Sequence, residues 1–138
     1  MFPRTVTLAI AAATVALATG TAATAAPSAG TTVKVISSCT KATFEPKSYV
    51  FFCADGGAGL QHASYTWWTD KTAHGTGTYY FNDCTPSCAG GTVHKQAAEF
   101  TLYRVRHTSK YGALFTRATV DTKQGHHRFE FPTSTYGA

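Results

Sequence analysis

The chain has 138 residues, 43% of them hydrophobic and only 14% charged, with 12 Lys and Arg against 7 Asp and Glu for a formal net charge of +5. Such a composition excludes a disordered polyelectrolyte, which needs low hydrophobicity and high charge, and the length excludes more than one ordinary domain. Four cysteines, an even count in so short a chain, raise the question of a disulfide framework.

Residues 1–25 read as a signal peptide. Arg4 supplies a positive start, residues 6–18 form an apolar run of 13, and Ala23-Thr24-Ala25 matches a small-residue cleavage site. The run is too short to span a bilayer, which takes about 20 apolar residues, and no cysteine stands at the cleavage point for a lipid anchor. Cleavage before Ala26 leaves a flexible leader, 26–31, and a single β domain, 32–138. The predicted location is extracellular and the predicted state a monomer.

In chain order, residues 32–37 and 48–53 are expected strands, joined around Pro46 into a hairpin. Residues 64–69 (SYTWWT) and 76–82 (TGTYYFN) suit a pleated, half-buried surface, and Gly77 within the second marks a bulge or a close neighbour. Residues 83–91 (DCTPSCAGG) hold too little apolar matter for an element and enough constraint for a rigid loop. Three more strands follow at 97–106, 113–120 and 126–131, and no stretch reads as a helix. About seven strands with turn signals between them predict an all-β fold. A small antiparallel β-sandwich is the first expectation and a partly open β-barrel the alternative.

Cys39 and Cys53 are each seven residues from Pro46, so a hairpin turning there sets them opposite one another. That favours Cys39–Cys53 and Cys84–Cys88, the second closing the loop on itself, although four cysteines allow three connectivities. Zinc ligation is disfavoured by the spacing and by export into an oxidising medium. No metal or cofactor is called for.

The pattern C-A-D-G-G at 53–57, Leu60, Trp68, A-x-G-x-G-T-Y at 73–79, N-D-C-T-P-x-C-A-x-G at 82–91 and F-T-R-x-T-V at 115–120 resembles a family of small secreted actinobacterial proteins of uncharacterised function. It spans about three-quarters of the expected mature chain. Tyr65 stands where that family usually has a tryptophan, Trp67 is additional, and Gly57 replaces an asparagine. The resemblance implies location and style of fold, not an activity. It also makes Trp68 the expected core tryptophan, leaving Trp67 as the exposed one, able to stack on a sugar ring or anchor a protein.

Charge is unevenly spread. Residues 26–91 balance four cations with four acids, whereas from residue 92 onward seven cations meet three acids. Arg104 and Arg106, two apart, share one face of a strand and form an expected contact for an anionic partner. His126 and His127 face opposite ways and cannot chelate one ion together in regular geometry. Pairing of a histidine with Glu99 or Glu130 would be needed for acid–base catalysis, but no local motif assembles it. Asp55 and Asp83 suit turn-capping roles. The reading that follows is a non-catalytic extracellular binding or interaction module for an anionic polymer, a glycan or an extracellular protein. The alternatives are a small secreted enzyme acting on a polyanion and a protease-inhibitor-like protein.

Overall fold

The computed structural model describes residues 32–135; the expected signal peptide and leader lie outside the described residues. Eight strands and no helix make up the described chain: β1 (Val35–Ile36), β2 (Ala42–Thr43), β3 (Tyr49–Val50), β4 (Ala58–Trp68), β5 (Ala73–Asn82), β6 (Val93–Thr108), β7 (Gly112–Thr122) and β8 (Gly125–Glu130). The fold is therefore all-β, and no helix among these residues is long and apolar enough to cross a membrane.

Strands β3 to β8 form one antiparallel sheet in sequence order, curled into a half-barrel, while β1 and β2 make a separate two-stranded ribbon. The curl brings edge strand β8 over the concave face. Phe129 stacks on Phe51, which follows β3, at 3.9 Å between ring centroids, and His127 stacks on Tyr79 of β5 at 5.0 Å. At the other end β1 spans the opening. Lys34 N–H donates to Ala113 O at 3.0 Å, Phe115 N–H to Lys34 O at 2.9 Å, and Val50 N–H to Ser37 O at 2.7 Å, which links β7 to β3 through β1. Of the two expected arrangements the molecule lies nearer the partly open barrel, and the aromatic contacts substitute for hydrogen bonds along the gap.

The expected hairpin between residues 32–37 and 48–53 is not formed as a direct ladder. Val35 pairs with Thr43, and Tyr49 with Leu60. The intervening chain turns sharply at Cys39 and Glu45, whose φ angles of 64° and 45° are incompatible with a continuing strand. The expected pairing is present although the hairpin from which it was argued is not: Cys39 is bonded to Cys53, with Cα atoms 5.7 Å apart, and Cys84 to Cys88.

The core fills the concave face. Leu60, Phe100, Leu102, Phe115 and Val120 are fully buried there, together with Val35 and Tyr49 from the covering segments. Each such side chain removed from water stabilises the fold by roughly 1.5–3 kcal/mol. The Tyr49 hydroxyl is hydrogen-bonded to that of Tyr65 at 2.6 Å, and Tyr65 donates to Pro46 O at 2.5 Å. These bonds satisfy the two phenols, and burial pushes both well above the ordinary tyrosine range. Gly77 meets its expectation. It faces the irregularity of β4 between Gln61 and Ser64, where His62 has a φ of 55°, and a Cβ there would lie 3.0 Å from Gln61 O.

Candidate functional site

Inward positions on β6 run by twos through Ala98, Phe100 and Leu102, as a regular strand requires, and then step by three to Val105. The partner strand does the same, from Phe115 to Ala118, so Leu102 still pairs with Ala118 and Val105 with Phe115. Both strands thus change phase together at one place without losing register. The cause lies at Arg104, whose φ of 59° is in the left-handed region, a conformation that costs a residue with a Cβ about 1–2 kcal/mol. Thr116, itself buried, holds the kink by donating its hydroxyl to Arg104 O at 2.8 Å.

The kink leaves both expected arginines, Arg104 and Arg106, exposed on one surface. They line a cleft of about 270 Å³ with Thr116 and Arg117 of β7, Glu130 of β8, and Phe131 and Thr133 beyond it. Arg117 is ion-paired with Glu130 at 2.6 Å. Neither Arg104 nor Arg106 makes an ion pair among the described residues. Three guanidiniums against one carboxylate leave the cleft with an excess of two positive charges, and guanidinium forks suit the planar or tetrahedral oxygens of carboxylate, sulfate or phosphate. Sequence reasoning missed Arg117. Its place across from Tyr103 and beside Glu130 is a matter of strand register, although the F-T-R run at 115–117 held the signal.

Trp67, the other expected contact, is 46% exposed and stacks on His74 at 4.5 Å. His74 is in turn hydrogen-bonded through Nδ1 to the Thr101 hydroxyl at 3.0 Å. Trp68 turns inward, donating its indole N–H to Val33 O at 3.0 Å and meeting Phe115 edge-on at 5.4 Å. Trp67 lies on β4 and the arginine cleft on β6 to β8, so the two are not brought together. Trp67 lies three strands away from Arg117 in the sheet.

The histidines find carboxylates other than Glu99 and Glu130. His126 contacts Asp121 at 2.5 Å with Arg128 Nε 3.4 Å from its other ring nitrogen, and His94 contacts Asp83 at 2.8 Å. His127 faces inward against Tyr79, opposite to His126, as alternation requires. No group of three or more potential metal ligands occurs among the described residues.

Asp83 organises the base of the disulfide loop. Its carboxylate accepts the N–H groups of Thr85 at 3.1 Å and Thr92 at 2.9 Å as well as the His94 contact. The His94 hydrogen bond, followed by those two backbone donors, lowers its pKa from 3.8 to about 2. Beside it, Asn82 donates its amide to Cys88 O and accepts from Cys84 N–H. Asp55 caps its own turn by accepting Gly57 N–H at 2.9 Å. Both aspartates therefore have the turn roles expected of them.

Comparison of the chain with protein-family models, with curated proteins and with solved structures finds no match.

Proposed function

We propose that the protein is a secreted, non-catalytic binding module that takes an anionic group of an extracellular polymer into the cleft of Arg104, Arg106 and Arg117. The observation that carries this reading is the convergence of three guanidiniums on one cleft with a single carboxylate. The left-handed Arg104 adds weight, because strained backbone is retained where the surroundings over-determine it, often at sites of function. Two disulfides suit an oxidising compartment, as does the apolar N-terminal run. The same reading groups the chain with the small secreted family that its cysteine-loop pattern resembles.

Titration with a heparin oligosaccharide and with a single-stranded oligonucleotide, over a series of salt concentrations, tests it. Binding should weaken steeply with salt, and the double variant Arg104→Ala/Arg106→Ala should weaken it by about tenfold or more while leaving the fold intact. Trp67→Ala should change little. Salt-insensitive binding, or binding unaltered in the double arginine variant, would overturn the proposal. The Asp121–His126 pair beside Arg128 favours a second reading, cleavage of a polyanion, and product formation from either probe would replace binding by catalysis.

A further inference from the structure

The open mouth of the half-barrel, at the end of the β7–β8 hairpin away from the arginine cleft, holds a second cleft of about 270 Å³ whose lining is of another kind. Phe52, Tyr79, Phe81 and His127 supply rings, and Gln96 and Gln124 supply amides. The rings form an ordered lane. Tyr79 and His127 are inclined by 28°, Tyr79 and Phe81 by 26°, and Phe81 and His94 by 21°. Tyr79 is buried and Phe81 and His127 are half-buried, whereas Phe52 is 52% exposed and lies edge-on to Phe129. The third amide of the lining, that of Asn82, is committed to the disulfide loop, whereas Gln96 and Gln124 have no side-chain hydrogen bond among the described residues.

We propose that this cleft binds a neutral pyranose residue of a glycan, seated with its C–H face on Phe52 and its hydroxyls on Gln96 and Gln124. The negative π-face of a ring attracts the weakly positive C–H hydrogens of a sugar. A glutamine amide both donates and accepts, which matches hydroxyl groups that do the same. No carboxylate, lysine or arginine lines the cleft, so a charged ligand would lose hydration without compensation. At about 270 Å³ the cleft is slightly smaller than the usual small-molecule site, which begins near 300 Å³, and its size suits one ring rather than a chain.

Amide-resolved NMR titration of the protein with cellotetraose, chitotriose and adenosine, each at millimolar concentration, tests the assignment. At least one of the two sugars should shift the signals of Gln96, Gln124 and His127, and the shifts should be indifferent to salt. Phe52→Ala should weaken binding about fivefold to tenfold, and Gln96→Ala should weaken it with the fold unchanged. Phe52→Tyr should preserve it, and so should Arg104→Ala/Arg106→Ala, which separates this cleft from the arginine site. The assignment is overturned if neither sugar perturbs the cleft, if adenosine alone does so, or if Phe52→Ala binds as the parent does.

Discussion

Arg104→Gly and Arg104→Ala both remove the guanidinium and differ only in a methyl group, so their comparison isolates the backbone conformation on which the arginine cleft depends. In a regular strand the glycine variant would be the less stable by about 0.5–1 kcal/mol, because glycine loses more conformational entropy on folding. At a φ of 59° the order reverses. Alanine retains the left-handed cost of about 1–2 kcal/mol that glycine escapes, so after the entropic term glycine should be the more stable by about 0.5–1 kcal/mol. For a domain of about 100 residues that corresponds to a melting temperature higher by several degrees. Urea and thermal denaturation of the two variants, followed by tryptophan fluorescence and circular dichroism, measure the difference. Both variants should lose heparin binding to the same extent, since neither carries the charge. An alanine variant as stable as the glycine variant, or more so, would refute the left-handed kink and with it the phase change that turns Arg104 and Arg106 outward together.

Two further outcomes follow from the staples and the loop. Non-reduced peptide mapping should recover Cys39 linked to Cys53 and Cys84 to Cys88, and Cys39→Ala/Cys53→Ala should cost about 3 kcal/mol by the chain-entropy argument for a loop of that length. Asp83 has a pKa depressed from 3.8 to about 2 by His94 and the Thr92 and Thr85 N–H groups. Its contribution to the order of the disulfide loop is therefore fully present above pH about 4 and lost as the pH falls through about 2. The amide signals of Thr85 and Thr92 should titrate with a midpoint near 2, and a midpoint at the ordinary carboxylate value would remove Asp83 as the organiser of the loop.

What the chain announces by itself is the part governed by local chemistry. The strands expected at 64–69, 76–82, 97–106, 113–120 and 126–131 fall on β4 to β8, because residue types that suit a pleated surface are read locally whatever the partner, whereas the first half of β4, Ala58–Ala63, carried no such signal. The cysteine pairing agrees with the expectation, but the hairpin about Pro46 behind that expectation does not form; the turn roles of Asp55 and Asp83 were legible from the habit of a short carboxylate to accept nearby N–H groups. That Trp67 and Trp68 face opposite sides follows from their adjacency on a strand, whereas which of them faces inward was an expectation drawn from the family resemblance; Trp68 is the inward one. Tertiary structure decided the rest. That β1 joins β7 to β3 rather than forming a hairpin with β3 depends on contacts far apart in sequence, which no local pattern encodes. The left-handed Arg104 has no sequence signal of its own. It is held by Thr116 from the next strand, and only that strand's register brings Arg117 and Glu130 to the same cleft. The aromatic mouth exists for the same reason: Tyr79 and His127 lie on strands well separated in the sheet and meet because the sheet curls. Periodicity determines which way a side chain faces, whereas closure of the sheet determines what it faces.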